Sequence, residues 1–366
     1  MGTADGPHRR TAGASRRTCL WYHPTRRPRR RRDGGGGRVR LGIFCTLDHY
    51  PDAGSVGEVL RRSVDDARQA DTLGLESFWV TEHHFSPYGV CPEPALLLAT
   101  LAANTRRLRL GTATAVLPLD HPVHTAERYA LLDQLSGGRL EFGVGSGYLA
   151  HEFAGFGLDQ ASKRVRFDEA LAIIRLAWSG AALRHAGPCF QIDAPPLNVL
   201  PIQPGGPPVH VGLTRPQGAP FVGRQGLGLA TVPYIALESM SELAAMVAAY
   251  RRELPEGSRG EVTVAVHAFC AEDARDPDLA AAEDALARYL RTRVAPGANY
   301  GGRPVARDFV LFGDAGGLAS RLAAFAALGV DRLLLLTAFG GLAAQAVGRS
   351  LARLARLGEA APGRLP

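Results

Sequence analysis

The segment Glu82-His83-His84-Phe85 places three titratable side chains directly after an apolar run, residues 77–81, that has the character of a buried strand. In a barrel of parallel strands, the carboxyl ends of the strands form the catalytic face. Histidine is the side chain best suited to proton transfer near neutral pH. We therefore predict that His83, with Glu82 and His84, forms a catalytic group at that face. The alternative is that the two histidines only hold a loop in place.

A glycine-rich segment, residues 143–147, follows the fourth predicted strand and contains Gly145 and Ser146. Glycine lets a ligand approach the backbone closely, and the exposed amides suit an anion, although the segment also fits a simple tight turn. Arg164 and Arg166 lie in the first turn of the next predicted helix, where the helix dipole disfavours cations. A bound phosphate would explain them, and the alternative is a solvated helix start.

Two further places were examined for ligands. Arg215 follows the fifth predicted strand, and the helix start near Gly218 offers free amides that suit a second phosphate contact. His121 and His124 have H-x-x-H spacing, but no cysteine or acid has the matching spacing that a metal site needs. Pro122 between them indicates a junction between a loop and a helix instead, so we predict no metal site.

Strand-like and helix-like segments alternate from residue 38 onward, and eight βα units in series predict a parallel sheet with right-handed crossovers. Eight units over this length fit a TIM (β/α)8 barrel of the α/β class with insertions, formed by residues 38–366 as a single domain. A doubly wound open sheet is the alternative, but no Gly-x-Gly-x-x-Gly follows the first strand. The predicted strands span residues 39–45, 76–81, 108–116, 140–145, 208–213, 227–231, 262–269 and 330–337. The predicted helices span residues 56–73, 94–104, 123–135, 164–178, 220–225, 239–254, 277–293, 313–328 and 342–356.

The formal charge of +7 comes from the amino-terminal segment. The first 40 residues hold twelve arginines and two aspartates, whereas the remainder holds 30 basic and 33 acidic groups. Residues 1–37 are rich in Arg and Gly without a hydrophobic period, which predicts a disordered tail. A nucleic-acid arm is the functional alternative. We favour a solvated tail and expect no nucleic-acid partner.

Cysteine usage and hydropathy restrict the compartment. The five cysteines are scattered and odd in number, which fits a reducing cytoplasm and argues against a disulfide framework or a zinc site. No apolar run approaches the ~20 residues that a membrane span needs, and no apolar segment of a signal peptide follows the basic start. We therefore expect a cytoplasmic protein without a membrane partner.

Several segments together resemble the bacterial luciferase-like monooxygenases from about residue 40 to residue 356. They are WVTEHHF at 79–85, RLGTA at 109–113, LPLDHPV at 117–123, LLDQLSGGRL at 131–140 with GVG at 143–145, and FGGL at 339–342. The resemblance implies a TIM barrel that uses reduced FMN and O2. In that family the peroxyflavin oxidises a small organic substrate, which is a long-chain aldehyde in the luciferases. It also implies a separate flavin reductase as partner and a homodimer.

The resemblance assigns roles to individual residues. His83 matches the catalytic base, and the family's non-proline cis peptide would fall at Ala113–Thr114, beside the flavin ring. The phosphate-binding arginine matches Arg164, with Arg166 as the alternative if the alignment shifts by one residue. The chain departs from the family at four positions: Gly145 and Ser146 replace a cysteine and an arginine, and Arg215 and Gly218 replace a serine and a threonine. Arg215 would restore the missing charge.

Three readings remain open at this point. Some relatives use a deazaflavin to move hydride, which is the alternative to FMN chemistry, and a non-catalytic partner subunit is the third reading. Retention of the Glu82-His83-His84 segment favours the monooxygenase, although a fold does not fix a function. Two segments, residues 180–208 and residues 296–308, are candidate lids over the barrel mouth. Substrate identity and light emission cannot be inferred.

Overall fold

The computed structural model describes residues 39–87, 89–258, 260–292 and 307–359. Its central feature is a closed barrel of eight parallel strands, in which each strand pairs with the next and the eighth returns to the first. The predicted TIM barrel is therefore confirmed. The strands are β1 (Arg40–Cys45), β2 (Ser77–Val80), β3 (Arg109–Thr112), β4 (Leu140–Gly145), β5 (Val209–Leu213), β6 (Gly228–Thr231), β7 (Val262–Cys270) and β8 (Arg332–Leu336). The predicted tail, residues 1–37, lies outside the described residues.

Helices separate the strands, and most begin or end within two residues of the predicted bounds. They are α1 (Val56–Thr72), α2 (Pro94–Asn104), α3 (Pro122–Ser136), α4 (Ala150–Gly155), α5 (Lys163–Trp178), α6 (Ala219–Arg224), α7 (Pro233–Ala236), α8 (Met240–Arg252), α9 (Pro277–Thr292), α10 (Ala315–Ala327) and α11 (Ala344–Glu359). The short helices α4 and α7 were not predicted. None of the described helices is long and apolar enough to cross a membrane.

Local sequence explains the helix ends nearest the site. Helix α1 begins at a capping box, in which the Ser55 hydroxyl accepts from Glu58 N and the Glu58 carboxylate accepts from Ser55 N. Helix α3 ends at Gly137, whose φ of 66° is the left-handed conformation that glycine adopts without strain. The imidazole of His121 caps the start of α3 by accepting from Val123 N. The H-x-x-H pair thus marks the predicted loop-to-helix junction.

Four short strands lie outside the ring of eight. Ala115–Val116 pairs with β4, and Val310–Gly313 pairs with the outer part of β7. Leu183–Ala186 and Gln191–Ala194 form an antiparallel hairpin within residues 180–208, beginning earlier than the predicted hairpin at 189–199.

The insertion at residues 180–208 is not a lid, contrary to the prediction. It connects the end of α5 to the start of β5, so it runs to the amino-terminal end of the barrel. There the Gln203 amide donates to Asp133 Oδ1 and to the carbonyl of Leu140, the first residue of β4. The active face of such a barrel is the opposite end. Most of the other candidate lid, residues 296–306, lies outside the described residues.

A buried ion cluster closes the amino-terminal end of the barrel. The Arg332 guanidinium is fully buried, and its nitrogens lie 2.8 Å from Glu76 Oε2, 2.7 Å from Glu261 Oε1 and 3.5 Å from Glu141 Oε1. Burial alone would raise the pKa of Glu141, but Arg332 and the hydrogen bond from His210 hold it well below its usual value. Because the charges satisfy one another, the barrel interior ends in a sealed floor.

We predict that Arg332→Met destabilises the protein by about 3–5 kcal/mol, because it leaves buried carboxylates without their shared cation. Urea unfolding at neutral pH measures the change. Arg184→Met is the matched control, since Arg184 and its partner Asp193 are both exposed and 3.7 Å apart, and the unfolding midpoint should hardly move. Equal midpoints for the two variants would show that the cluster does not hold the barrel together.

Candidate active site

A cavity of about 1030 Å³ opens at the carboxyl ends of the strands, in the usual size range of small-molecule sites. Six of the residues predicted from the sequence line it: Glu82, His83, Ala113, Thr114, Gly145 and Ser146. The remaining five predicted residues, His84, Arg164, Arg166, Arg215 and Gly218, do not. Its other walls are mostly apolar and include Phe44, Trp79, Val116, Leu213, Val232, Ala265 and Leu334.

His83 lies in the cavity wall with its imidazole held by a carboxylate. The side chain is buried, and Nδ1 lies 3.1 Å from Glu152 Oε1. Glu152 is itself buried in α4, and the same oxygen accepts from His84 N at 3.0 Å. A carboxylate that accepts from Nδ1 fixes the ring orientation and leaves the lone pair on Nε2. His83 is thus arranged as a proton acceptor.

Glu152 is the main functional residue that sequence reasoning missed. The prediction gave Glu82 as the carboxylate that orients an imidazole, but no contact to His83 was assigned to α4. The available signal was a glutamate inside the short apolar segment Ala150–Gly155, soon after β4 ends. A buried acid beside a strand end needs a partner, and His83 is that partner.

Glu82 pairs with His84 rather than with His83. Glu82 Oε1 lies 3.1 Å from His84 Nε2, and Glu82 Oε2 accepts from Val116 N at 3.1 Å. Burial raises the pKa of Glu82, although both hydrogen bonds oppose the shift. Burial would lower the pKa of His84, but the bond to Glu82 and its charge raise it above 6.5. His84 therefore does not face the main cavity, where the sequence had grouped it with the catalytic residues.

His84 lines a second, neighbouring cavity of about 620 Å³. Glu82 is common to both cavities, so its carboxylate separates them. The other charged residues around the second cavity are Glu93, Asp120 and Arg128, and the Arg128 guanidinium bridges the two acids at 3.2 Å and 2.7 Å.

The wall opposite His83 is shaped by glycines around Thr114. The Ala113–Thr114 peptide is cis, as the resemblance implied. A Cβ at Gly145 would lie 2.3 Å from Thr114 Oγ1, and a Cβ at Gly212 would lie 2.7 Å from Thr114 Cγ2. Glycine at both positions is therefore what lets the Thr114 side chain fit between β4 and β5 at the cavity wall.

The predicted phosphate residues fall into two groups. The Arg164 guanidinium lies 4.4 Å from the ring of Phe221 in α6, which places the start of α5 beside the segment that holds Gly218. Arg215 is exposed in the same segment, whose neighbour Thr214 lines the cavity.

Arg166 points elsewhere. Its Nε donates to the Pro118 carbonyl at 2.9 Å, and its guanidinium lies 4.9 Å from the ring of Phe190. Neither partner lines the cavity, so of the two alternative arginines Arg164 is the better placed.

The residues present fit a flavin. Apolar walls suit a tricyclic ring, the glycine positions beside Thr114 leave the wall low, and hydroxyls of Thr114, Ser146 and Thr214 follow one side toward α6. Arg164 and Arg215 flank that side with charges that suit a phosphate. Among the described residues, no group of three or more His, Cys, Asp or Glu is arranged to hold a metal ion.

The chain belongs to the luciferase-like monooxygenase family, whose model matches residues 39–332. The protein y4wF of Sinorhizobium fredii is 36% identical over 195 residues, covering 53% of this chain and 56% of that protein. The oxygenase component of flavin-dependent trigonelline monooxygenase from Acinetobacter baylyi is 27% identical over 248 residues, covering 67% and 69%. The crystal structure of monooxygenase RslO1 from Streptomyces bottropensis has a TM-score of 0.79 at 25% identity, covering 87% of this chain and 98% of that one. The chain spans about half the length of the first relatives it matches.

We predict that Glu82→Gln lowers the pKa of His84 from above 6.5 to below it, because burial remains while the carboxylate that opposes it is gone. NMR titration of the ring protons measures the value, and a His84→Gln spectrum assigns the resonance. Glu93→Gln is the control, since Glu93 acts on His84 more weakly and without a hydrogen bond. A pKa that falls no further in Glu82→Gln than in Glu93→Gln would contradict the pairing.

Proposed function

We propose that this chain is a flavin-dependent monooxygenase that uses reduced FMN and O2 to oxidise a small organic substrate. The observation that carries the proposal is the buried His83–Glu152 pair in the wall of a mostly apolar cavity, at the catalytic end of a barrel of this family. The relative from Acinetobacter, named as flavin-dependent, supports the cofactor class.

When bound, the reduced flavin would supply the two electrons that let one atom of O2 enter the substrate while the other leaves as water. The chain binds and shields this chemistry. Thr114 and Ser146 would hold the flavin beside the cis peptide, and Arg164, Arg215 and the amides near Gly218 would hold its phosphate. The apolar walls exclude water from the reacting atoms.

His83 would take up a proton at Nε2 from the substrate or from the reacting oxygen. Glu152 holds Nδ1 at 3.1 Å, and its negative charge stabilises the imidazolium that forms. Glu82, whose pKa is raised by burial, would act as a neighbouring proton store rather than as the base.

The partners are proposed on the same basis. A separate reductase would supply the reduced flavin, which the name "oxygenase component" of the Acinetobacter relative supports. We also propose a homodimer, on the resemblance alone, and a reducing cytoplasm, because the four described cysteines are free.

We predict that the protein, mixed with reduced FMN, medium-chain aldehydes and heavy-isotope O2, places one labelled atom in the product. His83→Gln should lower the yield of oxidised product by about 100-fold, the usual effect of a lost general base, while reduced FMN still binds. His185→Gln is the matched control, because His185 makes a similar 2.9 Å contact to Glu169 away from the cavity. Unchanged coupling in His83→Gln would refute its role, and binding of a reduced deazaflavin in preference to reduced FMN would favour hydride transfer.

We predict that Gly145→Ala weakens the binding of reduced FMN at least tenfold, because the new Cβ would displace Thr114 at the cavity wall. Anaerobic titration followed by absorbance measures the dissociation constant. Gly348→Ala in α11 is the control, since its Cβ meets only Gln69 at 3.5 Å. Equal affinity in both variants would place the flavin elsewhere.

A further inference from the structure

Two buried polar atoms in the deepest part of the main cavity have no hydrogen-bond partner among the described residues. They are Trp79 Nε1 and Thr263 Oγ1, on side chains that line the cavity and are each 1% exposed. An unpaired buried donor costs about 1–3 kcal/mol. Such atoms are retained at little benefit to the fold, which suggests that a ligand pairs with them.

Trp79 is held in one orientation by its neighbours. Its benzo ring packs on β3 and β4, where a Cβ at Gly111 would lie 2.2 Å from Cδ2 and a Cβ at Gly143 would lie 3.1 Å from Cζ3. The pyrrole edge that carries Nε1 is on the other side of the indole. The Arg332 guanidinium lies 5.2 Å from the ring and the His210 ring meets it edge-on. The indole therefore cannot turn its N–H toward β3 or β4.

Thr263 stands in the same layer of the barrel. It pairs in register with Arg332, the residue that lies against the Trp79 ring. The charge of Arg332 is already balanced by Glu76, Glu141 and Glu261. The floor thus offers two hydrogen-bond donors and no unbalanced charge, which suits a neutral acceptor and disfavours a carboxylate or an ammonium group.

We propose that Trp79 and Thr263 form a specificity subsite that binds a neutral acceptor, a carbonyl oxygen, at the inner end of the substrate. This inference rests on the proposed function, in which the reacting end of the substrate meets His83 nearer the mouth. The substrate class is then a mostly apolar molecule with two functional ends: a reacting group outward and a carbonyl inward. Apolar walls at Phe44, Ala265 and Leu334 surround the stretch between them.

Binding of cyclohexanone and of methylenecyclohexane tests the subsite without any flavin, because the two probes share a shape and differ in the acceptor. The Trp79 indole N–H should move downfield in NMR spectra with the ketone only, and Trp79→Phe assigns the resonance. Trp178 is the internal control, since its Nε1 already donates to the Ala126 carbonyl at 3.0 Å. An equal response to both probes, or no response to the ketone, would overturn the proposal.

Thr263→Val should weaken ketone binding about fivefold to tenfold, the effect of one neutral hydrogen bond, and leave the hydrocarbon unchanged. It should also raise the unfolding midpoint of the ligand-free protein, because it removes an unpaired buried hydroxyl. A purely structural threonine would give a lower midpoint and equal losses for both probes.

Two further outcomes separate the subsite from other sources. A downfield shift of the Trp79 N–H with FMN alone would assign the floor to a flavin carbonyl and overturn the substrate subsite. A high-resolution structure in which the ketone leaves a water bridging Trp79 and Thr263 would do the same. Ketone binding that depends on both residues, in a protein that fails the labelled-oxygen assay, would retain the subsite and reject the monooxygenase.

Discussion

The buried contact between Arg332 and three glutamates decides the form of everything above it. An eight-stranded barrel interior is usually filled by layers of side chains. Here the bottom layer is ionic, with Arg332 in the centre and Glu76, Glu141 and Glu261 around it. A closed cluster of this kind carries no net field upward and admits no further group. The indole of Trp79 rests directly on it, and the remaining interior is free to be a cavity that opens only at the carboxyl ends of the strands.

The three residues Glu82, His83 and His84 are adjacent in sequence but serve two separate pairs. Successive side chains in an extended backbone point to opposite sides, so His83 faces the cavity and meets Glu152 while His84 turns to the neighbouring cavity. Glu82 stands between the two cavities and bonds His84. One short segment thus separates a base held by a deeply buried carboxylate from a second pair whose histidine has a raised pKa.

The sequence predicted the barrel well because each of its signals is local. Alternating apolar runs, capping residues and terminal glycines place all eight strands within two residues at most ends, and the strand-end position of His83 follows from the same pattern. Glu152 was missed because its partner lies 69 positions away, and no local pattern reports such a contact. The lid prediction for residues 180–208 failed because composition indicates mobility but not which end of the barrel a connection crosses. Only chain direction tells that: a segment from helix to strand returns to the amino-terminal end.

The cavity has two unlike walls, and this asymmetry argues for a division of labour within it. On the side of β3, β4 and β5, glycines replace side chains and the hydroxyls of Thr114 and Ser146 stand exposed to the ligand. On the side of β1, β7 and β8, Phe44, Ala265 and Leu334 present carbon only. A cofactor with a polar chain and a phosphate matches the first wall, whose outer end leads toward Arg164 and α6. The second wall matches an apolar substrate, which would lie between the cofactor and the sealed floor. Because both walls converge on His83, the base stands where the two ligands would meet, and the shape of the apolar wall then limits which substrates reach it.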